Sequence, residues 1–179
     1  FGDKVKPARE ALLTFIFERL SGYLRERGHT TQEISAVVEL RPDDLARVPK
    51  RLDAVRAFSA LPQAQALAAA NKRLGNLLKK SGSEAADSVD AGLLADAAER
   101  ALAEAVGRLE PEVHARMAVH DYEAALALLA QARDPVDRFF EEVMVMTEDL
   151  PVRLNRLALL SRLHALMNGV ADISRLSVA

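Results

Sequence analysis

DLPVRLNRLALLSRLHALMNGV, residues 149–170, carries the clearest periodicity in the chain. Leu157, Leu160, Leu163, Met167 and Val170 recur at intervals of three, three, four and three, the spacing of one face of an α-helix and not the alternation of a strand. Asp149 offers an N-cap, and Pro151 fits the first turn, where its missing N–H would have no intrahelical partner anyway. At roughly 100° per residue, Arg156 falls inside the apolar sector and Arg153 at its edge. Both are expected to turn inward to a carboxylate, with Glu141, Glu142, Glu148 and Asp149 as the nearby acids.

The same period runs outward through the rest of the chain. Leu13, Ile16, Phe17, Leu20 and Leu24 make one apolar stripe, with Pro7 suited to its first turn and Gly28 able to stop it in a left-handed conformation. Thr30 and Glu33 form a capping box for a short helix carrying Ile34, Val37 and Val38, halted before Pro42. Pro42 and Pro49 are expected to open two consecutive helical pieces, the second lined by Leu52, Val55, Phe58 and Leu61. A helix over 63–80 comes next. SGSEAADSVD, residues 81–90, has turn formers, three acids and no apolar period, and is expected to be a flexible loop. Asp90 then caps a helix through Leu109, Pro111 restarts one, Asp121 caps another, and Asp134 with Pro135 begins one more. The prediction is an all-α protein, an antiparallel helical bundle of roughly nine helices joined by short turns.

Composition narrows the function classes. The chain has 179 residues, half of them apolar but only 4% aromatic, and no window approaches 18 uninterrupted apolar residues, so a soluble chain is expected. The absence of cysteine removes disulfides, thiolate nucleophiles and cysteine zinc sites, and fits a reducing compartment. Opening on Phe1 suggests a piece of a longer protein. The net charge of −2 divides unevenly: residues 1–80 carry 15 Lys and Arg against 9 Asp and Glu, and residues 81–179 carry 9 against 17. A polyanion would dock on the basic portion.

No catalytic constellation emerges. The eight glycines are scattered singly, without a phosphate-cradling loop or a nucleophile elbow. Glu110 and His114 stand four apart, but Pro111 intervenes and His120 points elsewhere, so no metal site is expected.

ANKRLGNLLKK, residues 70–80, is different. With Lys72 at zero on a helical wheel, Lys79, Asn76, Lys80 and Arg73 fall at roughly −20° to 100°, while Leu67, Leu74, Leu77 and Leu78 fall at roughly 140° to 240°. Asn71 lies on the apolar flank, and Gly75 leaves a bare strip between that flank and Lys79. A solvated helical face usually mixes acids with bases. Here no acid occurs between Asp53 and Glu84, so the repulsion among four cations makes sense if phosphates stand in for the missing acids. Pattern alone leaves an ordinary solvated face as the alternative.

Two segments, ALAAANKRLGNLLKKSG (66–82) and PVDRFFEEVMVMTEDLPVRLNRLALLSRLHALMNGVADISRL (135–176), together resemble the C-terminal anticodon-binding domain of the bacterial glycyl-tRNA synthetase beta subunit. The superfamily takes its name from an Asp-Ala-Leu-Arg stretch leading into the final helix. Here Leu150, Pro151, Val152 and Arg153 occupy those positions and only the arginine matches, although EDLPVRLNRLALL keeps the rhythm. The resemblance implies an anticodon-binding helical domain over 57–179 after an N-terminal helical segment, 1–56. It also implies a cytoplasmic role in attaching glycine to tRNA-Gly. The alpha subunit would be the partner that carries the active site, with ATP and Mg there, and this segment would have no catalytic residue or cofactor of its own. Lys72, Arg73, Lys79 and Lys80 would then neutralise tRNA phosphates and Asn76 would hydrogen-bond the RNA. Glycine codons begin with two guanines, so the matching anticodon bases are cytosines, and stacking on them would fall to an arginine plane or to Tyr122.

HDYEAALALLAQARDP, residues 120–135, also resembles the second helix of a tetratricopeptide repeat. That reading makes the chain a helical protein-interaction or subunit-assembly module without nucleic-acid binding. Such stacks need about three repeats, and only one is recognisable.

Overall fold

Helical period and capping chemistry agree along most of the chain, and the elements follow from them. In the computed structural model, residues 2–82, 86 and 88–177 are described, the side chains of residues 2–9 excepted. They form α1 (Gly2–Glu26), α2 (Thr31–Val38), α3 (Val48–Ser59), α4 (Ala64–Ser81), α5 (Ala97–Ala118), α6 (Tyr122–Leu129), α7 (Arg133–Glu142) and α8 (Leu150–Met167). Four short 3-10 turns, at Leu45–Arg47, Ala91–Leu93, Ala130–Ala132 and Ile173–Leu176, complete the fold. No strand occurs among the described residues, and no helix among them is long and apolar enough to cross a membrane.

The capping signals operate as the sequence indicates at several ends. Thr30 Oγ1 accepts from the Glu33 N–H while Glu33 accepts from the Thr30 N–H, closing the box that starts α2. Asp121 and Asp149 each accept from a backbone N–H three residues on, at Ala124 and Val152. Gly28 ends α1 with φ at +87°, a conformation that a Cβ would make costly.

Eight α-helices stand among the described residues where roughly nine were expected, and the differences have physical causes. Pro111 does not restart a helix: α5 runs through it from Ala97 to Ala118, tolerating the lost hydrogen bond. Asp90 caps only the turn at Ala91–Leu93, and α5 starts after Asp96, whose N–H donates to Glu99. Pro42 opens no helix, because Arg41 adopts a positive φ of 48° and the chain stays irregular until the turn at Leu45. Asp134 is not a cap: α6 passes through the turn at Ala130–Ala132 into α7, leaving Pro135 in the first turn of α7. α1 begins at Gly2, ahead of Pro7.

α8 is the central element. Residues 155–160 are all buried, a stretch enclosed on every side rather than amphipathic. α4 packs against α8 and against the closing turn Ile173–Leu176; α5 packs against α6 and α7, and α3 against α2 and α6. Position 56–57 falls inside α3, and Val37 of α2 and Val48, Leu52 and Val55 of α3 lie in the same core as Leu67 of α4 and Leu163 of α8. Backbone and arginine bonds tie the C-terminal end to this layer. The Asp172 N–H donates to Ala36 O at 2.7 Å, and Arg51 donates to the carbonyls of Gly169, at 3.2 Å, and of Val170.

Within the 81–90 connector, residues 83–85 and 87 lie outside the described residues. Ala86 and Asp90 meet α8: the Ala86 N–H donates to Leu154 O at 3.3 Å, and Asn155 both accepts from the Asp90 N–H and donates to the Asp90 carbonyl.

Candidate nucleic-acid interface

α4 separates its two faces as the wheel predicts. Leu67 and Leu74 are fully buried, while Lys72, Arg73, Asn76, Lys79 and Lys80 are exposed along one side. None of the four cations forms an ion pair with a described residue. Asp137 and Glu141 of α7 line a groove shared with Arg73 without closing a salt bridge on it. Arg73 instead lays its guanidinium over the Phe140 ring, 4.4 Å from the centroid. One face of that plane is thus covered and the arginine is held in place.

Grooves lie on both sides of the cation row. One, of about 570 Å³, is bounded by Lys72, Arg73, Asn76 and Lys80 and floored by Ala69, Leu77 and the exposed Met146. The other, of about 750 Å³, runs between α4 and the end of α8 with the closing turn; Gly75, Asn76, Lys79, His164, Asp172 and Ser174 line it. Its walls are joined by an amide pair, the buried Asn71 and the partly buried Asn168. Asn71 donates to Asn168 Oδ1 at 2.8 Å, and Asn168 Nδ2 donates to the His164 carbonyl at 2.8 Å. Burial lowers the His164 pKa, with the Asp172 charge opposing that shift and the Lys79 charge adding to it.

Three expected roles fall elsewhere. Tyr122 does not offer a stacking face: it is 4% exposed, its hydroxyl lies 3.3 Å from His120 Nδ1, and Arg51 covers its ring at 4.7 Å. Starting α6 immediately after its Asp121 cap turns this first side chain onto α3. Arg156 does point inward, but its acidic partners are Glu99 of α5 and Asp96, the N-cap before that helix, and not Glu141, Glu142, Glu148 or Asp149. Its Nε donates to Glu99 at 2.5 Å, one terminal nitrogen to Asp96 at 2.8 Å and the other to the Met144 carbonyl at 2.7 Å. Arg153 pairs with no acid among the described residues; it donates to the Thr147 carbonyl at 3.4 Å, and its Nε is buried with no partner among them. Glu142 is held by Arg138, and Asp149 caps α8. Burial pushes the Glu99 carboxyl up, but hydrogen bonds from Arg156 and the backbone, with the Arg156 charge, outweigh it and leave the group lowered and ionised.

No three His, Cys, Asp or Glu side chains among the described residues are placed to hold a metal ion. Glu110 is engaged by Arg162, whose hydrogen bond lowers its carboxyl pKa.

Phe140, Met146, His164, Asp172 and Ser174 were not singled out by sequence reasoning. Asp172 and Ser174 carry a local signal, an Asp two residues before a Ser just after a helix end, which is the pattern of an Asx turn. The others come to α4 only through tertiary packing.

A family model described as the DALR anticodon binding domain matches residues 67–173. Among curated proteins, a glycine–tRNA ligase beta subunit of Polaromonas naphthalenivorans is 54% identical over 176 residues, 98% of this chain and 25% of that protein. The corresponding subunit of Paracidovorax citrulli is 53% identical over 179 residues, covering 100% of this chain and 25% of its own length. That of Dechloromonas aromatica is 53% identical over 175 residues, again 98% and 25%. The chain spans about a quarter of the length of the curated relatives it matches.

Proposed function

Because this chain belongs to the DALR anticodon binding domain family, we propose that it holds the anticodon arm of tRNA-Gly as the RNA-binding part of a glycine–tRNA ligase beta subunit. The observation that carries this reading is the row Lys72, Arg73, Lys79 and Lys80: four exposed cations on one helix with no acid among the described residues paired to them. RNA phosphates spaced along a strand supply the missing counter-charge and release their own counterions on binding.

Within this reading the exposed side chains divide the labour. Lys72, Lys79 and Lys80 sit as point charges for phosphates. Arg73, braced on one side by Phe140, offers its free guanidinium face to an unstacked base. The floor of Ala69, Leu77 and Met146 beside it accepts the apolar face of that base. This chain contributes binding and no bond-making group. Glycine activation with ATP and Mg belongs to the alpha subunit of a cytoplasmic enzyme, and the chain acts with that partner by presenting the tRNA.

The test is a filter-binding titration of tRNA-Gly across a salt series. Replacing Lys72, Lys79 and Lys80 together by Ala is expected to weaken binding and to lower the slope of log affinity against log salt by about one unit for each phosphate left without its cation. An unchanged slope in a variant that melts like the parent rejects the reading.

A further inference from the structure

The four methionines of this chain fall into two pairs with opposite surroundings. Met167 is fully buried, and Met117 is partly buried with its sulfur close over Gly169. Met144 and Met146, in contrast, are 75% and 52% exposed. Their exposure is built into the backbone that follows α7. Val143 leaves the helix in an extended conformation, so side chains alternate: Val143 and Val145 are buried, and Met144 and Met146 face out. The segment is pinned from α8 on either side of Met146, by Arg156 on the Met144 carbonyl and by Arg153 on the Thr147 carbonyl. Met146 therefore holds a thioether in the groove bounded by Lys72, Arg73, Asn76 and Lys80. Met144, two residues earlier, lines neither groove beside the cation row.

We propose that Met146 is a reversible oxidation site, at which a peroxide converts the thioether to the sulfoxide and so loosens the hold on RNA. The proposal rests on the RNA-binding reading above and adds a chemical switch to it. The sulfur lone pair attacks one oxygen of hydrogen peroxide, so that an S–O bond forms as the O–O bond breaks. Sulfur gives up two electrons, and the departing hydroxide takes the proton of the transferred oxygen and leaves as water. Access decides which thioethers react, so Met144 and Met146 convert ahead of Met117 and Met167. Two things then change at position 146. The apolar floor shared with Ala69 and Leu77 becomes polar, and a base face laid on it must cover an oxygen that has lost its water. That oxygen is also an acceptor beside Lys72, Arg73 and Lys80, none of which forms an ion pair with an acid among the described residues. It draws a donor away from phosphate. Met144 gains the same oxygen with neither result. Sulfoxide reductases return the thioether, which makes the change a switch and not only damage.

The experiment uses the full-length protein, treated with hydrogen peroxide, mapped by peptide mass spectrometry and titrated with tRNA-Gly. Parent protein oxidised at position 146 is expected to bind about threefold to tenfold more weakly than its unoxidised form, with the thermal midpoint unchanged because the site is exposed. Treatment with the two methionine sulfoxide reductases, one for each epimer, is expected to restore affinity. Each variant is compared with itself before and after peroxide, so the effect of the substitution on unoxidised binding drops out, and oxidation elsewhere is common to all. Met146→Leu is expected to lose the response and Met144→Leu to keep it. Met146→Gln, which places a permanent amide oxygen in the groove, is expected to bind as weakly as the oxidised parent and to respond no further. Three results each overturn the proposal: position 146 stays unoxidised while 144 is converted, the fully converted parent binds as before, or Met146→Leu weakens as much as the parent. Loss of affinity through unfolding, from oxidation at Met167, would persist in Met146→Leu and so counts against the site. Failure of the underlying RNA-binding reading looks different. The unoxidised parent then shows no preference for tRNA-Gly over a non-cognate tRNA and the switch falls with it, whereas failure of the switch alone leaves that preference intact before and after peroxide.

Discussion

The basic side chains of α4 and α8 solve opposite problems. Arg156 of α8 is 6% exposed and spends every arm of its guanidinium on the protein itself: Glu99, Asp96 and the Met144 carbonyl. Lys72, Arg73, Lys79 and Lys80 of α4 are exposed, and none forms an ion pair with an acid among the described residues. A charge that builds the fold must carry its counter-charge into the core, because an isolated buried ion is too costly to keep. On the RNA-binding reading proposed above, the α4 charges are left without one, and the mild repulsion is tolerated because solvent screens it. The two regions also touch in effect: Arg156 fixes Met144, two residues before the Met146 that floors one groove beside α4.

Breaking the buried set is the largest perturbation this contrast predicts. Arg156→Ala leaves Glu99, which is fully buried, without its counter-charge and is expected to cost about 3–5 kcal/mol in urea denaturation. Glu99 also supplies an acid dependence. Its folded pKa is lowered, so its contribution to stability is present above the unfolded carboxylate range and is lost as pH falls through that range toward the folded value. Glu99→Gln is expected to flatten that part of a stability-against-pH profile. An acid limb identical to the parent's would mean the network contributes nothing to pH dependence.

The all-helical class and both faces of α4 were legible in the sequence because period and capping are local. Leu67 and Leu74 inside, and Lys72 and Lys79 outside, follow from 3.6 residues per turn alone. The inward turn of Arg156 was legible for the same reason, yet its partners were not. A helical wheel gives a direction, and Glu99 lies 57 positions away on α5, reached only through packing. Tyr122 shows the opposite failure: aromatic scarcity made it a tempting platform, but nothing local reveals that α3 lays Arg51 across its ring. Pro111 misled because proline's local cost can be absorbed by a long helix whose Leu109 and Val113 are buried on either side of it. The groove of Gly75, His164 and Asp172 joins three segments, and only the bare strip at Gly75 can be read from a single helix.

A middle-sized effect probes the seam between the two regions. Asn71 is fully buried on α4 and donates to Asn168 at the end of α8. Asn71→Ala leaves Asn168 Oδ1 without that donor and is expected to cost about 1–3 kcal/mol, read as a shift in the denaturation midpoint. A double-mutant cycle with Asn168→Ala should show coupling between the two positions, since each amide donates to the other. Strict additivity would mean that the amide pair does not clamp α4 to α8.

The smallest effect has the sharpest sign. Asn76 stands four residues from both Lys72 and Lys80 on the exposed face, so Asn76→Glu supplies the acid that this face lacks. Each new i,i+4 pair is worth about 0.2–0.5 kcal/mol, so the variant should melt slightly higher than its parent. The same carboxylate would occupy the cations and repel RNA phosphates, so affinity for tRNA-Gly should fall while stability rises. The two changes must be measured on one preparation, by thermal denaturation and by titration at low salt. If the cation row is merely a solvated face, stability still rises and RNA affinity stays where it was, because only a face kept free for a polyanion loses function when its charges are satisfied from within.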